Sequence, residues 1–133
     1  MIFRLPQTLR NHMLDHVLET PEIEACGLLS AKGSETVSLY RIPNIATDPS
    51  TTFYMEPQAQ IAALKTMRQH GEQLCAIYHS HPNSEALPSD RDLRQAAYPG
   101  TAYLIISLMK AEPEIGSFMF DGEAFHDLKL EID

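Results

Sequence analysis

Cysteine is scarce in this sequence: Cys26 and Cys75 are the only two among 133 residues. Two are too few for a disulfide framework, and they do not form a CxxC pair. Each lies in an apolar segment and reads as a buried free thiol. Long hydrophobic runs are missing as well. The longest, such as AYLIISLM, falls far short of a membrane span, and the opening MIFRLPQTLR lacks the apolar core and small-residue cleavage site of a signal peptide. The expected compartment is therefore the cytoplasm. Positive charge is also short: 10 Lys and Arg against 18 Asp and Glu leave a formal charge of -8 and a pI near 5.1. No basic cluster is available to neutralise phosphates, which argues against a general nucleic-acid binder. A neutral or basic protein partner is electrostatically easier to meet.

What is present suits one globular domain spanning residues 1–133. With 44% hydrophobic and 21% charged residues, the chain can bury a core of its own. Leu9, Met13, Leu14, Val17 and Leu18 recur at helical spacing behind Pro6, predicting a helix over Thr8–Leu18. EACGLLSA and ETVSLYRIP, separated by KGS, predict a β-hairpin. A polar loop, Asn44–Thr52, precedes a second helix from about Pro57 to His70. QLCAIYHSH reads as a buried strand, SDRDLRQAA as a third helix behind Pro88, and TAYLIISLM as a further strand. In GSFMFDGEAFHDLKLEI the Asp121-Gly122 dipeptide marks a second hairpin. Helices interspersed among strands give a mixed α/β or α+β domain with a mixed β-sheet.

The chemistry concentrates in YHSHPNSEALPSDRDL, Tyr78–Leu93. Side chains alternate across a strand, so His79 and His81 share a face about 6.5 to 7 Å apart along the backbone, while Ser80 points away. Pro82 ends the strand, because it cannot donate to a ladder. Ser89 stands where a helix N-cap stands and Asp92 three residues later, which by itself is an ordinary cap with an acidic first turn. The loop between turns the chain back, so Asp92 can also face the histidine pair. Two imidazoles, one carboxylate and a position open to water are the ligand set of a catalytic rather than a structural zinc site. Upstream, Glu22 and Glu24 stand at the start of a strand, and a carboxylate at that mouth can serve as a base.

Taken together, Glu24, then His79-Ser80-His81-Pro82, then Ser89-Asp90-Arg91-Asp92 resemble the signature of the JAMM (MPN-plus) metalloproteases: an upstream Glu, H-x-H-P, a loop and S-x-x-D. EACGLL, FYMEP and AYLIIS extend the resemblance to the small stand-alone prokaryotic members. The resemblance implies a single MPN/JAMM domain of cytidine-deaminase-like fold. It also implies Zn2+ held by His79, His81 and Asp92, Glu24 as general base and later proton donor, and Ser89 as a hydrogen-bond donor to the oxyanion. Glu22 lies two residues from Glu24 on the same strand face, but Glu24 keeps the spacing to CGLL. The implied activity is hydrolysis of peptide or isopeptide bonds at the Gly-Gly tail of a ubiquitin-like sulfur-carrier protein or its conjugate. Such a tail can lie extended beside a sheet edge, and Thr52–Glu56, which leads into the second helix, is the candidate wall of its groove. The alternative is a non-catalytic MPN-type interaction module.

Other groupings are weaker. His12 and His16 lie four apart on the first helix, but Met13 occupies the place where an H-E-x-x-H protease needs its Glu, leaving two histidines on a polar face. Cys26 has no adjacent base and reads as a core cysteine. Neither the H-x-E nor the P-C-x-x-C pattern of a zinc deaminase is present.

Overall fold

Pro6 separates the first two elements of the computed structural model, which describes residues 1–133: β1 (Ile2–Leu5) and α1 (Gln7–Glu19). On α1, Leu9, Met13 and Val17 are buried at a spacing of four, one stripe of a 3.6-residue helix. The hairpin follows as β2 (Cys26–Lys32) and β3 (Glu35–Ile42). Gly33 at its turn has φ +62°, a left-handed conformation that glycine adopts without steric cost. In α2 (Pro57–Gln69), Pro57 opens the helix and the Glu56 carboxylate accepts from the N–H groups of Gln58 and Ala59. Then come β4 (Gln73–His81), α3 (Asp90–Gln95), β5 (Ala102–Ser107), β6 (Glu114–Phe120), β7 (Phe125–Asp127) and β8 (Lys129–Ile132).

Six strands form one mixed sheet in the order β3-β2-β4-β5-β6-β7. Its only parallel pair is β4–β5, joined through α3. The two faces carry separate apolar clusters. Tyr78, Leu29 and Leu104 pack with Leu9, Met13 and Val17 of α1; Ile77, Leu28 and Tyr103 pack with Ala63 and Met67 of α2. Adjacent residues of β4 thus feed opposite clusters, which is why this strand reads as continuously apolar. His79 and His81 alternate with Tyr78 and Ser80 and lie on the α2 face. No helix is long and apolar enough to cross a membrane.

Three details differ from the sequence reading. Ile2–Leu5 is a strand, pairing in parallel with β8 as a separate two-stranded sheet. The second limb of the Asp121-Gly122 hairpin is only three residues long. Leu128, buried at 6% exposure, anchors the break after which β8 leaves β6 for β1. The third helix stops at Gln95, because Ala96 turns extended at φ -64°, ψ 130°.

Candidate metal centre and active site

The site lies at the carboxyl end of β4, beside the parallel pair. His79 pairs in register with Cys26 of β2. Continuing that register places Ala25 opposite Ser80 and Glu24 opposite His81, so Glu24 shares the face of the two histidines. The ladder frays there in a defined way. The Ser80 N–H still donates to the Ala25 carbonyl (3.0 Å), but the Ala25 N–H donates to the Ser80 hydroxyl (2.9 Å). Ser80, pointing away from the histidines, thereby fastens the Glu24 segment to their strand.

Asp92 arrives from α3. Ser89 and Asp92 form a complete capping box: the Asp92 N–H donates to Ser89 Oγ (3.0 Å) and the Ser89 N–H to Asp92 Oδ2 (3.0 Å). The same Oδ2 lies 3.1 Å from His81 Nε2 and 3.2 Å from His79 Nε2. The cap and the candidate ligand are therefore one arrangement, and the two readings of Ser89-x-x-Asp92 do not compete. Glu24, His79, His81 and Asp92 each bring a ligand atom to within 4.8 Å of the others, and all four are buried. Glu22 is exposed and outside the cluster.

These residues fit a tetrahedral divalent metal. Two donor atoms bound to zinc at tetrahedral angles lie about 3.3 Å apart. The two Nε2 atoms are 3.1 Å apart and their distances to Asp92 Oδ2 are similar, so three lone-pair-bearing atoms form a triangle of nearly that edge. His81 Nδ1 donates to the Glu85 carbonyl (2.8 Å), which leaves Nε2 unprotonated in the neutral ring and free to coordinate. His79 Nδ1 has no protein partner; that ring is held by packing, with Phe53 stacked on it at 4.5 Å.

Electrostatics separates the four groups. Burial pushes the Glu24 carboxyl up to about 7, against the pull of His81. Burial would likewise raise Asp92, but hydrogen bonds to both imidazoles hold it well below the usual carboxylate range. Burial lowers His79. For His81 burial acts downward too, but Asp92 and the Glu85 carbonyl outweigh it and raise its pKa. A carboxyl poised near neutrality beside an ionised one is the division of labour that acid-base chemistry uses. Glu24 Oε1 has no hydrogen-bond partner, so its lone pairs are free to take a proton.

Two hollows flank the cluster. One is polar, about 210 Å³, lined by Glu24, His81, Ser89 and small residues including Ser50, Thr51 and Ser84. The other is apolar, about 440 Å³, with Phe53, Tyr54 and Met55 among its walls and none of the four clustered residues. The remaining sequence candidates lie elsewhere. His16 does not sit on a polar face: it turns inward, its Nδ1 2.5 Å from the Tyr78 hydroxyl, so no His12–His16 clamp exists. Cys26 is fully buried with its thiol pushed up to about 12 by burial and by Glu24, which suits a core residue and not a nucleophile. Sequence reasoning did not find Ser80 and Phe53 as supports of the cluster, because their contacts span loops and strands that no local pattern connects.

Known proteins resemble this chain over most of its length. Residues 6–121 match the profile of a family described as prokaryotic homologs of the JAB domain. A desampylase of Haloferax volcanii is 28% identical over 130 residues, covering 93% of this chain and 91% of that protein. A probable TtuB-protein conjugate cleaving protease of Thermus thermophilus is 34% identical over 98 residues, 74% of this chain and 66% of that one. A protein of Desulfitobacterium hafniense solved in solution superposes with a TM-score of 0.87 at 33% identity, over all of this chain and 93% of its own.

Proposed function

Because the chain belongs to the prokaryotic JAB-domain family, and is a peptidase of that family, we propose that it is a zinc enzyme cutting at the Gly-Gly tail of a ubiquitin-like protein or its conjugate. The observation that carries this reading is the convergence of His79 Nε2, His81 Nε2 and Asp92 Oδ2 beside the unpartnered Glu24 Oε1. A non-catalytic module has no use for a buried carboxylate kept without a partner, which costs stability and contributes no binding.

In this reading His79, His81 and Asp92 would hold the metal, which when bound would supply Lewis acidity. Glu24 accepts the water's proton on its free carboxylate oxygen and afterwards returns it to the departing amine. Ser89 Oγ already accepts from the Asp92 N–H, so its own hydrogen is free to donate to the carbonyl oxygen as charge builds there. His81 is held by the Glu85 carbonyl, which fixes both tautomer and ring plane.

The polar hollow favours a substrate without bulky side chains at the cut. Ser50, Thr51, Ser84 and Ser89 are short and hydrogen-bonding, and about 210 Å³ leaves room for an extended glycine backbone. The relative from Thermus thermophilus is named for cleaving a protein conjugate, which supports a macromolecular substrate. The longest segments free of helix or strand around the site are the stretch from Asn44 towards α2 and the loop from Pro82 to Ser89, too short to grip a second folded protein. Recognition then falls on one folded partner and its tail. The test is metal analysis of the purified protein, together with kcat/KM for a folded ubiquitin-like fusion against a tail-only peptide. Stoichiometric zinc and a strong preference for the folded fusion are expected. Equal values would make the chain a general peptidase, and activity that survives complete metal removal would end the zinc reading.

A further inference from the structure

Glu24 lies two residues before β2 and is not held by any side-chain hydrogen bond from its own carboxylate Oε1. Its placement is therefore decided by its main chain. That main chain is gripped by one loop. The Glu24 N–H donates to the Pro49 carbonyl (2.7 Å), and the Glu24 carbonyl accepts from Asn44 Nδ2 (2.8 Å).

Asn44 does more than reach Glu24. Its Nδ2 also donates to the Thr52 carbonyl (3.0 Å), and its Oδ1 accepts from the Ala46 N–H (2.9 Å) and the Tyr54 N–H (3.0 Å). Both donors and both acceptor positions of one primary amide are thus in use, the full capacity of the group. The four contacts join the main chain of Glu24 to both ends of the 44–54 loop. Two of them, at Thr52 and Tyr54, flank Phe53, whose ring stacks on His79.

We propose that Asn44 is a positioning residue for the hydrolytic reaction, setting the Glu24 carboxylate and the Phe53 ring relative to the metal-binding histidines from a place where it touches neither substrate nor metal. The proposal rests on Glu24 being the base. Only an amide does this work. An aspartate of the same shape presents oxygen where Nδ2 donates to two carbonyls, and alanine leaves those carbonyls and two N–H groups without their partner.

The test compares Asn44→Ala, and Asn44→Ser as the milder variant, with the parent and with Glu24→Gln. Both Asn44 variants are expected to keep the parent's zinc content and a KM within about twofold, while kcat falls about 10- to 100-fold, the scale of a displaced catalytic group. In the Glu24→Gln background the same substitutions should cost nothing more, because a base already lost cannot be displaced. Amide hydrogen exchange on the metal-free protein gives a readout independent of turnover. The Glu24 amide should lose protection in Asn44→Ser while the Ile77 amide in β4 keeps it. Unchanged kcat with full protection at Glu24, or losses that add fully to those of Glu24→Gln, would overturn the proposal. A fully active Glu24→Gln would instead overturn the base assignment, with the exchange result still deciding whether Asn44 holds this segment. If Asn44→Ala does not fold, Asn44→Ser decides alone.

Discussion

With Glu24 as the proposed base, stability and turnover pull in opposite directions at this residue. Its carboxyl rises from an ordinary 4.5 to about 7 in the folded chain, so between these values the folded state binds a proton that the unfolded state has released. The group's contribution is intact below about 4.5 and is lost as pH rises through about 7. Glu24→Gln removes the ionisation. Without metal, its unfolding midpoint should exceed the parent's by a few degrees at pH 8 and match it near pH 4, as followed by circular dichroism. The same variant should keep its zinc and lose about a hundredfold to ten-thousandfold in kcat. A dead Glu22→Gln beside a normal Glu24→Gln would refute this. Ser89 caps α3 and, in the proposed mechanism, also donates to the oxyanion: Ser89→Ala should cost about 1 kcal/mol as a lost cap and about a hundredfold in kcat as a lost donor, separable by measuring denaturant midpoint and turnover on one preparation. His81→Ala should lose metal and activity together, read by elemental analysis. In the parent, acid should release metal, because protons compete for the imidazole nitrogens.

At the scale of elements, the site depends on how the β4–α3 connection is seated. A Cβ on Gly116 of β6 would come within 2.1 Å of the Ala86 carbonyl oxygen, backbone against backbone, so this strand is bare where the loop leans on it. The loop carries Glu85, which orients His81, and leads to Ser89. Gly116→Ala should therefore weaken zinc binding about 10- to 100-fold without touching a ligand, the size of effect seen when an outer-shell partner is disturbed. Competition with a chromogenic chelator measures it, and unchanged affinity would show that the loop has slack. Gly27 plays a similar part on the opposite face: a Cβ there would meet the Tyr78 ring at 2.4 Å, next to His79. The elements that position the site were legible because their signals are local: the short apolar run in Gln73–His81, Pro82 as terminator, and Ser89 with Asp92 as a cap. The spacing to CGLL picks out Glu24; its place beside His81 follows from the β2–β4 pairing, in which Cys26 lies opposite His79. The inward turn of His16 depended on a Tyr78 hydroxyl 62 residues away, beyond any periodicity on α1.

For the whole molecule, the two clusters on opposite sheet faces explain how 133 residues hold a buried polar site. The α1 side is packed almost wholly with apolar residues, while the α2 side gives up its β4 end to His79, His81 and Glu24. The strand that sequence alone did not reveal, β1, works at this scale. Residues 2–5 lie beside residues 129–132, and the clasp is closed by the Asp133 N–H on the Leu5 carbonyl and the Gln7 N–H on the Asp133 carbonyl. No pair of strands in the chain is further apart in sequence. Such a contact is formed only after most of the polypeptide has been gathered, and it lacks the flanking strands that protect β4. In time, then, it should be the last part of the chain to assemble and the first to come undone. Native-state hydrogen exchange should find β1 and β8 opening at a lower free energy than β4. A molecule that loosens there first can flicker at its seam while the histidines at the far end of β4 stay at their posts.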